Sequence, residues 1–221
     1  MPRFYRNADK SEKFSLSGDT KPTCVFLAEG EAEAFFFESL LAYVEADPTR
    51  NVALCFRGLG NFSPFLHVLT QEPNFSGVTA LGVMLDADDD YAGRAASVTA
   101  LLKSTKILSA GAASPVANIV ASNGRRTAVF VSPGANRVGA IESIVIDEIR
   151  RKAQWNCIDA FSHCIHEQFE NPPNPKTIAQ IYISLMKPRM CGIGRAFDAG
   201  VFDVSDPAYA TARAVFQPLI S

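Results

Sequence analysis

The sequence has no long apolar run. None of its stretches reaches the roughly 18–20 consecutive apolar residues that a membrane span needs, so no membrane association is expected. Its first residues, MPRFYRNADKSEKFSLSGDTKP, are polar, mixed in charge and without an apolar h-region, so no secretory signal is expected. Cysteine is sparse. Cys24, Cys55, Cys157, Cys164 and Cys191 are odd in number and scattered, which argues against a disulfide framework and for free, buried thiols in a reducing cytoplasm. A basic surplus is also missing: 21 Lys and Arg stand against 23 Asp and Glu, for a net charge of −2. That balance excludes a protein coated in positive charge but not one local phosphate-handling site. There is no Walker A sequence, so the chain is not expected to hydrolyse ATP itself. Internal repeats and low-complexity tracts are absent too.

What is present is enough apolar material for a core. Hydrophobic residues make up 48% of 221, which rules out disorder as the main state. The length suits one domain with a small appendage. Residues 1–21 read as an arm or a peripheral edge, 22–221 as a single α/β domain, and the part from about 150 onward as a mostly helical extension. Short apolar runs at 23–28, 52–56, 78–85 and 127–133 have the make-up of buried parallel strands. Helical spacing appears after each, beginning with EAEAFFFESLLAYVEA, where Phe37, Leu40, Leu41 and Val44 share a face. Further helices are expected at about 63–69, 92–102, 155–169, 176–186 and 207–216, and one with Ile141, Ile144, Val145 and Ile149 on one side. The stretch 103–126 shows no strong period, Asn123-Gly124 reads as a hairpin or loop tip, and 192–203 reads as a glycine-rich connection. Alternating strands and helices predict a mostly parallel, Rossmann-like sheet flanked by helices. In such sheets functional groups gather past the carboxyl ends of the strands.

Acidic residues fall there. Glu29 ends the first strand and Glu33 follows one helical turn later. Asp86 and Asp88 end the third strand, with Asp89 and Asp90 beyond. Glu142 opens the helix after Gly139. Oxygen-only carboxylate clusters suit hard cations such as Mg²⁺ or Mn²⁺. The plainer reading is that these acids cap helices or line solvated turns, a role open to Asp88 and Asp90 in particular.

The segment LAEGEAEAFFF resembles the first Toprim motif, MLDADDD the second, and GAIESIV a later glutamate motif of Toprim-like variants. Those variants include the nuclease half of overcoming-lysogenization-defect proteins and small stand-alone Toprim-like proteins. The resemblance covers about residues 23–200. It implies a Toprim-like fold with Glu29, Glu33, Asp86, Asp88 and Glu142 as ligands of Mg²⁺ or Mn²⁺. It also implies a phosphate-assisting lysine, for which Lys176 is the first candidate and Lys187 the second. The implied activity is phosphodiester cleavage, with Glu29 as general base or acid. A non-catalytic Toprim-like module that binds nucleotide, nucleic acid or protein is the alternative. Nucleic acid and a separately encoded ATPase are the partners that the resemblance suggests.

Other residues carry weaker signals. In RGLGN, Arg57, Gly58, Gly60 and Asn61 could hold a phosphate on exposed backbone N–H groups, or form no more than a tight turn. Cys157, His163, Cys164 and His166 match no zinc spacing, and a packed helix is the expectation. Arg125-Arg126, Arg150-Arg151-Lys152 and 187–189 are small basic clusters that matter for phosphate only if they converge on the acidic rim. Phe35, Phe36 and Phe37 are expected in the core.

Overall fold

The computed structural model describes residues 5–7, 16, 21–134, 136–169 and 173–220. Six strands form one sheet: β1 (Tyr5–Asn7), β2 (Cys24–Ala28), β3 (Asn51–Cys55), β4 (Ala80–Asp86), β5 (Val120–Ser122) and β6 (Arg125–Ser132), in the order β1-β3-β2-β4-β6-β5. All neighbours run parallel except β5, which pairs antiparallel with β6. The helices are α1 (Glu31–Tyr43), α2 (Phe62–Gln71), α3 (Tyr91–Ser104), α4 (Ile141–Ile149), α5 (Trp155–Phe169), α6 (Pro175–Met186), α7 (Ile193–Asp198) and α8 (Ala210–Phe216).

Strand alternation explains the layering. Phe26, Ala28, Cys55, Met84 and Phe130 point to one face, where they meet Phe36, Phe37 and Leu40 of α1, Val145 of α4 and Phe216 of α8. Val25, Leu27, Leu54, Val83, Leu85, Val129 and Val131 point to the other, against Leu66 and Leu69 of α2 and Val98 and Leu102 of α3. Residues buried on both faces explain why these strands read as unbroken apolar runs. Phe36 and Phe37 are core residues, and Phe37 packs 4.8 Å from both Phe26 and Phe216, ring centre to ring centre. Burying side chains of this size contributes roughly 1.5–3 kcal/mol each. Between the rings Gly82 leaves needed room, since a Cβ there would lie 2.5 Å from Phe26 Cδ1.

The expected elements recur with shifts at their ends. Three differences have local causes. The aperiodic stretch 103–126 contains β5, whose three residues are too few to show alternation. It turns into β6 through Asn123 and Gly124, both at positive φ, as the expected hairpin tip requires. The connection expected at 192–203 contains α7, which packs on α1, and Gly194 allows the close approach: a Cβ there would lie 3.2 Å from the Glu31 carbonyl oxygen. The five thiols are free, but only Cys24 and Cys55 are buried; Cys157 and Cys164 are exposed because α5 buries little beyond Ile158, and Cys191 is exposed in the connection before α7. The expected arm lies mostly outside the described residues. Within it, β1 forms the sheet edge and Leu16 is buried, its amide donating to Glu72 Oε2 at 3.3 Å. Among the described residues no helix is long and apolar enough to cross a membrane.

Candidate metal centre

The chain leaves β2 toward β3 on one side and later returns to β4 on the other. The crevice past β2 and β4 is therefore a topological switch point, where no crossover covers the strand ends. Glu29 directly follows β2 and Asp86 ends β4. They touch: the Asp86 amide donates to Glu29 Oε2 at 3.2 Å. Asp86 Oδ1 in turn accepts from the Ile141 amide at 3.1 Å, which fixes the start of α4 over the strand end. Glu33, on the first turn of α1, is 2% exposed. Gly30 leaves space for it, because a Cβ at that position would stand 2.7 Å from Glu33 Oε2.

Burial and mutual repulsion act on these groups together. The Asp86 carboxyl is pushed up to about 9, first by burial and then by the charges of Glu33, Glu142 and Glu29. Glu33 is raised to about 7, again mainly by burial, with Glu142 and Glu29 adding repulsion against the lowering pull of backbone hydrogen bonds. Glu29, Glu33, Asp86 and Glu142 thus form one electrostatic unit drawn from β2, α1, β4 and α4.

Asp88 joins by another route. Its backbone sits at φ +47° and exchanges two hydrogen bonds with Gly139, Asp88 N to Gly139 O at 2.8 Å and the reverse at 2.6 Å. Its carboxylate pairs with Arg94 of α3, whose guanidinium also lies 3.9 Å from Glu29 Oε1. Asp88 is not a helix cap. That role belongs to Asp90, which accepts from the Gly93 amide at 2.8 Å.

Two residues at this rim escaped the sequence reading. Arg94 lies six positions past Asp88, and its place in the first turn of the helix capped by Asp90 was the available signal. Ser132 stands across the ladder from Asp86, fully buried, with its hydroxyl unpartnered. Strand parity puts it on the face shared by Phe130, Met84 and α4, where Asp86 also points.

The remaining candidates are elsewhere. Arg57 and Gly58 follow β3 at positive φ, and Gly58 donates to the Glu29 carbonyl at 2.9 Å, so this turn borders the rim. Arg57 pairs with Glu31 at 3.5 Å, and Asn61 Nδ2 closes the turn by donating to the Arg57 carbonyl at 2.6 Å, while Gly60 is exposed. Lys176, in the first turn of α6, and Lys187, at its end, are exposed, and among the described residues no hydrogen bond or ion pair joins either to the carboxylates. The basic clusters do not converge on the rim. Arg125 and Arg126 start β6, at the opposite end of the sheet, and bond the carbonyls of Phe75, Val78, Pro218 and Leu219. Arg150 pairs with Asp147, Arg151 with Asp206 and Lys152 with Glu148. His163 and His166 are exposed on α5, and His163 lies 3.2 Å from Glu167.

The donor set suits a hard cation. Every donor is a carboxylate oxygen, and burial and neighbouring charges make two of them, Asp86 and Glu33, costly to ionise, a cost that a divalent ion would offset. Among the described residues no three such side chains already stand in a ready liganding arrangement. Loading would require the carboxylates to turn inward.

The family described as "Protein of unknown function (DUF3226)" matches residues 24–221, from the first residue of β2 onward. The chain belongs to the DUF3226 family. That match spans the whole carboxylate rim of this DUF3226 protein. No curated protein matches the chain in sequence. A solved structure, the C-terminal region of the OLD protein of Xanthomonas campestris pv. campestris, is 13% identical and covers 90% of this chain and 85% of that one, with a TM-score of 0.32. A likeness of that size assigns no role to any residue.

Proposed function

We propose that this DUF3226 protein is a Toprim-like, Mg²⁺- or Mn²⁺-dependent enzyme that cleaves phosphodiesters, with nucleic acid as the substrate class. One observation carries the reading: Glu29, Glu33, Asp86 and Glu142, from four separate elements, are coupled at the switch point of a parallel sheet. Buried carboxyls raised by burial and by neighbouring acids, as Glu33 and Asp86 are, cluster at functional sites.

Glu29, Glu33, Asp86, Asp88 and Glu142 would hold the ion. Bound there, it would supply Lewis acidity and a more acidic water at neutral pH. The protein's own groups divide the remaining work. Glu29 carries a carboxylate oxygen at the mouth of the site, placed to take or return a proton. The Arg57-Gly58 turn presents a guanidinium and a tight loop to a phosphate beside it. Lys176 adds positive charge if substrate reaches across α6. A separately encoded ATPase is the partner that the resemblance to stand-alone Toprim-like proteins suggests for this arrangement.

Titration with Mn²⁺ in a calorimeter, alongside assays on single- and double-stranded substrates, tests the reading. Binding and cleavage by the native chain, both lost in Asp86→Asn, are expected. Binding without turnover on any phosphodiester would favour a non-catalytic module of the same fold. No binding at millimolar ion would sink both.

A further inference from the structure

We propose that Arg94 is a built-in counter-cation of the rim, which a divalent ion must displace from Glu29 and Asp88 before the site is loaded. The inference rests on the metal reading above. The Arg94 guanidinium bridges Asp88 and Glu29, two carboxylates from different loops. It is the guanidinium that the described residues place among these acids. The Arg94 side chain is 18% exposed and that of Glu29 14%, so solvent screens this attraction weakly, whereas Asp88, at 59%, meets the arginine at the surface. Arg94 Nη1 is nevertheless buried without a hydrogen-bond partner. Nη2 donates to Asp88, while Nη1 stands 3.9 Å from Glu29 Oε1, beyond hydrogen-bond reach, so the second carboxylate is held by charge and not by a matched bidentate pair.

The backbone decides which partner gives way. Asp88 is pinned by its reciprocal hydrogen bonds to Gly139, and Gly139 sits at φ +119° with no room for a side chain beside Ser143. Glu29 is tied to the Asp86 amide. Arg94 hangs on a long, flexible stem from α3. When an ion takes the carboxylate oxygens, the guanidinium is the part free to leave. An arginine stays charged at every ordinary pH, so competition with an ion, not loss of its own charge, would release it. Arg94 is on this account a positioning residue: it balances the charges of Asp88 and Glu29 and sets the threshold at which metal enters.

Calorimetric titration of the full chain with Mn²⁺, and thermal melting without metal, test this on four proteins: native, Arg94→Gln, Arg94→Lys and Arg150→Gln. Arg150 is an exposed arginine paired with Asp147 away from the rim and controls for lost charge. Arg94→Gln should bind Mn²⁺ roughly tenfold tighter, having lost a competitor at close range, and melt lower when metal-free. Arg94→Lys keeps the charge without the fork and should fall between the two. Arg150→Gln should bind like the native chain. Equal or weaker binding by Arg94→Gln overturns the proposal. If that variant does not fold, Arg94→Lys decides: binding no tighter than native overturns it equally. If the native chain and every folded variant ignore Mn²⁺, the metal reading itself is lost, and the proposal with it.

Discussion

The backbone amide of Asp86 donates to the carboxylate of Glu29, so the end of one central strand is held by the side chain that ends the other. The bond fixes the spacing of two acids that burial and repulsion would otherwise separate.

The first prediction concerns pH. Asp86 sits near 9 in the folded protein and returns to an ordinary carboxyl value near 3.8 on unfolding. Between those values the folded state holds a proton that the unfolded state has released. Stability from this group is therefore complete below pH 4 and is lost as pH rises toward 9. Glu33 acts in the same direction, over a window from about 4.5 to 7. The metal-free protein should melt lower at pH 8.5 than at pH 5.5, by about several degrees, since 1 kcal/mol moves Tm by ~2–4 °C at this size. In Asp86→Asn the decline should be much shallower. Identical pH profiles for the two proteins would refute this account.

Metal should compete with those same protons. Loading requires Asp86 and Glu33 to be ionised, so binding at pH 7.5 should release protons. The measured heat should then differ between buffers of high and low ionisation enthalpy, and affinity should rise from pH 6 to pH 8. Heats that do not depend on the buffer would show that the coupled carboxyls are not the ligands.

Gly30 is a test of shape. Its backbone is extended, at φ −129°, so alanine there brings no backbone strain. The added Cβ would nonetheless meet Glu33 Oε2 at 2.7 Å and push the carboxylate aside. Gly30→Ala should keep its fold and lose about 10–100-fold in Mn²⁺ affinity, the range typical of disturbed support around a metal. Unchanged affinity would remove Glu33 from the ligand set.

A structural control lies on the far side of α4. Glu148 is fully buried and accepts from Tyr209 Oη at 2.7 Å, from Lys152 Nζ at 2.9 Å and from the Asp203 amide at 3.2 Å. This knot ties α4 to the segment before α8. Tyr209→Phe should cost about 1–3 kcal/mol in denaturant unfolding and leave Mn²⁺ binding as it was. A change in metal affinity would mean that the knot reaches the rim.

The acidic motifs were legible because each lies at a junction between periods. Glu29-Gly30 marks a change from an apolar run to helical spacing, and Asp86 to Asp90 marks another. A short strand such as β5 and a six-residue helix such as α7 are below the length at which a period shows. Arg94 was illegible for another reason. A basic residue on a helix usually faces water, and only the folded chain brings the carboxylates of Asp88 and Glu29 to it.

The sequence by itself determined the alternation of strands and helices and the placing of acids at strand ends, because burial on both faces of a sheet demands continuous apolar runs and leaves polar residues only where those runs stop. The tertiary structure alone decided which acids meet. Strand order set β2 beside β4, and so Glu29 beside Asp86, with Glu33 and Glu142 brought over them by α1 and α4. It also decided that the clusters at 125–126 and 150–152 serve the frame while Arg94 meets the rim acids. Distance along the chain says nothing of distance in space, and electrostatic coupling depends only on the latter.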